Sequence, residues 1–282
     1  MASKPGASAD RRGVRRTRAR PLTASATAPR TRPTGPVTID HPVFPRPLVI
    51  PPDDGTFSHD EIASLYWTHH PRFHFLKMAS ARARVFDIGA GWGRLSFWRE
   101  WMSPDRRDLE MHGCDLFPAR FADQYASFHV MNIDGARFPH PDGYFGAAIA
   151  SHLIEHLQRP GRLAAELART IAPGGQVYIE TPTAESVNFP DRHFFLDHGC
   201  PTTTTNFADD DTHAKPIGRD ELRRMFEHEG FILREAGTIK HPYLEVALLS
   251  KAVTHDDQEL GSYGLWSILG FAHYAIFSKP VA

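Results

Sequence analysis

Only two cysteines, Cys114 and Cys200, occur in the 282 residues, and they stand far apart. Such scarcity excludes a disulfide-stapled scaffold and points to a reducing compartment, taken here as the cytoplasm. Long apolar runs are missing as well. The longest nearly apolar stretch, 264–277, contains Ser267 and His273 and is too short for a membrane span. No apolar segment of the kind a secretory signal needs opens the chain. Acid is almost absent from residues 1–36, where Asp10 stands against eight arginines and Lys4. Large apolar side chains are nearly absent there too. This stretch cannot build a core and is expected to be a disordered Arg-rich tail. Its charge leaves a contact with nucleic acid or anionic lipid open, and its composition leaves a transit peptide open. The remainder carries 23 basic against 32 acidic side chains. A nucleic-acid surface is therefore expected only through the tail.

Glycine, by contrast, is concentrated where it counts. Val85-Phe86-Asp87-Ile88 is the short apolar run of a strand covered on both faces. Gly89, Gly91 and Gly93 follow at once, and Leu95, Trp98 and Trp101 then recur at helical spacing over 94–101. A strand, a glycine turn and a helix in that order make a nucleotide-binding corner at the carboxyl end of a parallel sheet. Two common versions are excluded. The dinucleotide pattern G-x-G-x-x-G fails because Arg94 holds its third glycine position, and G-x-x-x-x-G-K-[ST] is absent. Asp87, two residues before Gly89, would repel a pyrophosphate but suits an ammonium or a sulfonium.

The pattern Asp87-x-Gly89-x-Gly91-x-Gly93 closely resembles motif I of the class I S-adenosylmethionine-dependent methyltransferases. Further features resemble that family in order over about residues 81–240. Asp115 closes the apolar stretch from Leu109, 22 positions after Gly93; Asn132-Ile133-Asp134 follows a strand at 128–131. Phe138 to Leu157 resembles the segment through the fourth strand, and the helix 160–171 runs into Ala172-Pro173-Gly174-Gly175 before a strand at 176–180. The resemblance implies an α/β, Rossmann-like, doubly wound, mostly parallel seven-stranded sheet with an antiparallel last strand, and S-adenosylmethionine as cofactor. It implies that Asp87, Gly89, Ala90, Gly91 and Gly93 hold the cofactor's amino-acid end. Asp115, with Leu116 beside it, would hold the ribose; Ile133 would lie against the adenine and Asp134 at its amine. Ser151 and His152 would end the fourth strand beside the cofactor. The chain departs from the family at Gly146, where aspartate is common.

Three domain-level pieces are expected: the tail, a lead segment over 37–80, and the main domain over 81–282. The lead segment carries a capping box, Ser58 with Glu61, and a helix to about Trp67. Tyr66, Trp67, His69, His70, Arg72 and His74 lie in or after that helix, where the family often closes over cofactor or substrate. The aromatic and histidine-rich stretch 183–217 is read as the substrate-facing insert. An amphipathic helix at 220–229 and a strand at 231–236 follow. A helical excursion over 243–252 and 260–269 then precedes a last strand at 273–279.

For an oxygen acceptor, His156 is the first candidate general base, with His193 and His213 behind it. His152-x-x-Glu155-His156 also matches a zinc-protease pattern, and Asp211-x-His213 is a pair of possible ligands. No third ligand helix is evident, so no metal site is assigned. The reading is methyl transfer to a small molecule or glycan, on oxygen. Methylation of RNA or protein, a cofactor-binding module without catalysis, and a nicotinamide dehydrogenase are the competing readings. Oligomeric state is left open.

Overall fold

The computed structural model describes residues 35–281. The Arg-rich tail, all but its last two residues, lies outside that range. Described residues begin with a short antiparallel pair, β1 (Val37–Ile39) and β2 (Leu48–Ile50). Helices α1 (His59–Thr68) and α2 (Pro71–Met78) follow. The expected capping box starts α1: Ser58 Oγ accepts from Glu61 N, and Glu61 Oε2 accepts from Ser58 N. His70 is buried, and its Nδ1 caps α2 by accepting from Arg72 N at 3.2 Å, with Pro71 in the first turn.

The main sheet has seven strands: β3 (Arg84–Ile88), β4 (Glu110–Asp115), β5 (Ser127–Val130), β6 (Phe145–Ser151), β7 (Ile171–Pro182), β8 (Ile232–Thr238) and β9 (Ala272–Ser278). Their spatial order is β5-β4-β3-β6-β7-β9-β8. The neighbours from β5 to β7 pair in parallel, whereas β9 runs antiparallel to both β7 and β8. This is the expected fold class. The chain leaves β3 toward one edge and returns at β6 on the other side. That reversal opens a crevice at the carboxyl ends of β3 and β6, where such sheets bind ligands.

Alternation along the central strands sorts the core onto two faces. Phe86, Ile88, Ala148 and Ala150 pack under α3 (Pro160–Thr170) and α5 (Arg219–His228). Val85, Ala147 and Ile149 pack with Phe75 and Leu76 of α2. Asp87 shares the Val85 face, so its carboxylate starts out on the α2 side of the crevice.

Two local expectations are corrected. The helix read at 94–101 is a single 3-10 stretch, Arg94–Arg99. The buried Lys77 ammonium takes the carbonyls of Arg99, Met102 and Pro104 at 3.2, 3.0 and 2.8 Å, and Met102 turns left-handed at φ 59°. Lys77 thus gathers the chain as it leaves that stretch. The strand read from Gln176 begins at Ile171, and Gly174 does not cap α3, whose cap is Ile171. Gly174, at φ 79°, instead carries an irregularity in the pairing of β6 with β7.

The lead segment and the late helices form one layer. Ile62 and Tyr66 of α1 pack with Leu248 and Ala252 of α6 (Glu245–His255) and with Leu260 and Tyr263 of α7 (Gln258–Leu269). The buried Lys251 ammonium fastens them, bonding Asp53 Oδ2 at 2.6 Å. The insert is ordered around α4 (Arg192–Asp197). Phe195 and Cys200 fill a second small core with Ile39, Ile50, Leu249 and Leu265. Cys114 is likewise buried and unpaired. No helix among the described residues is long and apolar enough to cross a membrane.

Candidate active site

A cavity of about 570 Å³ lies at the crevice. Its floor is the turn after β3. Asp87, Gly89 and Ala90 line it, with Trp92, Arg94, Leu95 and Trp98 beyond and Ile149 and Ser151 from β6. The turn needs its glycines. Gly89 sits at φ 71°, and a Cβ there would come 3.0 Å from Leu153 Cδ1; Gly93 sits at φ 82°, with Tyr125 Cε2 at 3.1 Å from such a Cβ. At Gly91 (φ 55°) no atom lies within 4 Å of where a Cβ would stand. The turn is open on that side.

β4 supports the turn from beneath. Gly89 N and Ala90 N both donate to Cys114 O, at 2.9 and 3.1 Å. Asp115, at the end of β4, accepts from Gly91 N (2.8 Å) with Oδ2 and from Phe117 N (3.0 Å) with Oδ1. Each oxygen keeps a lone pair for another donor. Asp87 is 5 % exposed, and Tyr125 donates to its Oδ2 at 2.5 Å. Burial pushes the Asp87 carboxyl up to about 6, aided by Asp115 and opposed by the Tyr125 bond and by Arg72. A buried carboxylate in that condition is stabilised by an arriving cation.

The opposite wall comes from three distant segments: Trp67 and Arg72 of α1 and α2, Thr203 of the insert, and Glu259, Ser262, Tyr263 and Trp266 of α7. The Arg72 guanidinium lies 5.1 Å from the Trp67 ring and 5.5 Å from Trp98. Ser262 Oγ bonds Thr202 Oγ1, Thr203 N and Thr203 Oγ1 at 2.9–3.0 Å, and Trp266 Nε1 donates to Thr204 O at 2.6 Å. Gly261 permits this approach, since a Cβ on it would stand 1.7 Å from Pro201 O. Glu259 accepts from the Tyr263 hydroxyl.

Behind the cavity runs a buried charge network. Glu180 of β7 lies 3.6 Å from Arg72 Nε and 3.0 Å from His152 Nε2, and it accepts from Tyr178 at 2.7 Å. Burial would raise the Glu180 carboxyl, but Arg72, His70 and His152 hold it well below the usual range. His152 adopts φ 48° just past β6. Burial works to lower its pKa, yet Glu155 and Glu180 lift it to about 9.

The sequence-derived residues are therefore divided. Asp87, Gly89, Ala90 and Ser151 line the cavity, while Gly91 and Gly93 continue the same turn. Asp115 adjoins the turn through Gly91, and Leu116 beside it is 55 % exposed. Ile133 is buried in the main core. Asp134 Oδ1 accepts from Arg159 N at 3.0 Å. His152 supports the wall through its contacts with Glu180 and Trp266 rather than lining it. His156, the candidate base, is absent from the lining; its Nδ1 meets Thr212 Oγ1 at 2.9 Å and its ring lies 4.7 Å from His213. His193 is exposed on α4. Of the long insert, Thr203 alone enters the lining. Glu259, Ser262, Tyr263 and Trp266 were missed, and the helical excursion before the last strand was their only signal.

A family model described as "Methyltransferase domain" matches residues 63–236, well over half of the chain. Among solved structures, one similar chain is assigned as a methyltransferase and was solved in complex with the Haloferax volcanii Trm112 methyltransferase activator. It superposes with a TM-score of 0.53 at 19 % identity, over 78 % of this chain and 89 % of that one. The [4+2]-cyclase SpnF superposes with a TM-score of 0.51 at 14 % identity, over 82 % and 85 %. At these identities the likeness is one of fold. No curated protein matches the sequence.

Proposed function

The chain belongs to the methyltransferase domain family, with S-adenosylmethionine as cofactor, and we propose that it methylates an oxygen of a small molecule or glycan bound in the cavity at the ends of β3 and β6. The observation that carries this reading is the wall itself. The glycine turn, the end of β6, α1, α2, the insert and α7 together line a half-open cavity of about 570 Å³, within the range of small-molecule pockets. An open face for a macromolecule would not need α7 and the insert on the far side.

The residues fit the cofactor. Ser151 Oγ is buried in the wall without a hydrogen-bond partner, the turn is open at Gly91, and Asp87 is a desolvated carboxylate. When bound, the cofactor supplies a methyl group already activated on a cationic sulfonium. In this reading Asp87 offers its charge to the cofactor's amine, and Asp115 accepts from the ribose hydroxyls. Asp134 and Ile133 serve the adenine. The chain's remaining task is to align the acceptor, and such positioning supplies on the order of 7–11 kcal/mol. Trp67, Tyr263 and Trp266 hold it against aromatic faces. Glu259 takes the acceptor's proton in place of His156, being the carboxylate that α7 contributes to the wall.

The test uses the full chain with a methyl-labelled donor and a cell extract. Label is expected in small molecules that pass a dialysis membrane and separate from the donor by chromatography. Label retained in RNA or protein would overturn the acceptor class. Tight cofactor binding with no labelled product would favour a module without transfer.

A further inference from the structure

The H-x-x-E-H pattern does not assemble as its spacing suggests. His152 turns toward Glu180 and Trp266, whereas Glu155 and His156 are joined by His213, 57 positions later. One ligand atom from each of Glu155, His156 and His213 lies within 4.8 Å of the others. The insert is already laid on this turn, with Ala214 N donating to Glu155 O at 2.7 Å.

Hydrogen bonding fixes both imidazoles in one tautomer. His213 Nδ1 meets Phe207 O at 2.6 Å. A carbonyl only accepts, so in the neutral ring Nδ1 carries the proton and Nε2 keeps its lone pair, with Asp210 Oδ2 standing 3.9 Å from it. Thr212 donates its hydroxyl to Asp210 Oδ1 at 2.6 Å. Toward His156 Nδ1, 2.9 Å away, that hydroxyl can then only accept. His156 Nδ1 is therefore protonated as well, and its Nε2 is the free lone pair. Metal-bound histidines are held in the same way, by a second-layer acceptor on the other nitrogen. Glu155 supplies the anion. It is fully buried; Oε2 accepts from Thr181 at 3.0 Å, and Oε1 has no hydrogen-bond partner, although His152 Nδ1 stands 3.4 Å from it.

We infer that Glu155, His156 and His213 bind a divalent first-row transition cation of the zinc class, fastening the insert to the turn after β6. Two imidazole nitrogens and one carboxylate suit such an ion and leave a position open for water. A hard cation such as magnesium would want more oxygen ligands than this set provides.

The test is titration of the untagged, chelator-stripped full chain with zinc ion, followed by calorimetry and by thermal melting. One ion per chain is expected, with a rise in melting temperature. His156→Ala and His213→Ala should each weaken binding at least 100-fold and abolish the rise. His193→Ala removes an exposed histidine of the same insert and should change neither. Cobalt ion in the unsubstituted chain should give the intense visible bands of a four- or five-coordinate site, a readout that survives should a variant fail to fold. Weak six-coordinate bands, no stoichiometric binding, or binding that persists in His156→Ala would overturn the proposal.

Discussion

The two walls of the cavity are built in opposite ways. On one side, Asp87, Gly89 and Ala90 follow one another within four positions, and β4 props their turn through Cys114 O and Asp115. On the other, Trp67, Arg72, Thr203 and the α7 residues span almost 200 positions and meet only through tertiary packing. The first wall is a property of a local sequence; the second is a property of the fold. A local turn tolerates change elsewhere in the chain, whereas an assembled wall depends on every contact that docks its pieces.

That contrast is tested most severely at Gly261. The Gly261→Ala methyl group has no space against Pro201 O, and moving it means moving the insert backbone off α7. A loss of about 3 kcal/mol is expected, at the upper end for overpacking. Acceptor turnover should fall with it, while binding of S-adenosylhomocysteine, measured by calorimetry below the lowered melting temperature, should change little. Equal loss on both sides would show that the walls are not independent.

Asp115→Ala probes the local wall. It removes a charged acceptor that also pins Gly91 N. Hydrogen bonds to charged groups contribute about 1.5–3 kcal/mol each, so binding of S-adenosylhomocysteine should weaken on the order of 30-fold. Asp115 is only partly buried and at the surface end of β4, so the melting temperature should hardly move. A large drop in melting temperature with little change in affinity would make Asp115 a structural residue of the strand end.

The same contrast explains what could be read from the sequence. The β3 turn was legible because Asp87 and its glycines each satisfy a local backbone or charge requirement. The seven-stranded order followed from motifs at family spacings, and α1 from its capping box. What failed was decided at a distance. Lys77, seventeen residues before Arg94, collects the carbonyls of Arg99, Met102 and Pro104 and so sets the path of the chain beyond the 3-10 stretch. Thr203 reaches the wall because Ser262 bonds it, not because the insert is aromatic. His156 was named as a base from its position after β6. Its partners, Thr212 and His213, lie in the insert and stand with it outside the cavity lining.

Glu259→Gln narrows the comparison to one group on the assembled wall. Removing a general base costs about 10²–10⁴-fold at most. With an exposed carboxylate, and water able to substitute, roughly a tenfold fall in kcat is expected. Acceptor KM and S-adenosylhomocysteine affinity should stay within about twofold. A rise in KM with kcat intact would make Glu259 a binding residue, and His156→Ala lowering kcat instead would restore the histidine.

The smallest effect near neutral pH is a pH dependence of the local wall. Asp87 is raised to about 6 by burial and by Asp115, against the Tyr125 hydrogen bond and Arg72. Its folded pKa lies above the unfolded value, so the empty protein loses stability as pH rises from about 4 through 6. Ligand binding runs the other way. S-adenosylhomocysteine keeps its amine protonated over this range, and its charge favours ionised Asp87. Affinity should therefore be flat above pH 7, halve near pH 6 and fall about tenfold per unit below pH 5. Asp87→Asn should bind more weakly throughout and show no such slope. A wild-type profile as flat as that of Asp87→Asn would remove the ammonium from beside Asp87, and with it the reason for a carboxylate two residues before the glycine turn.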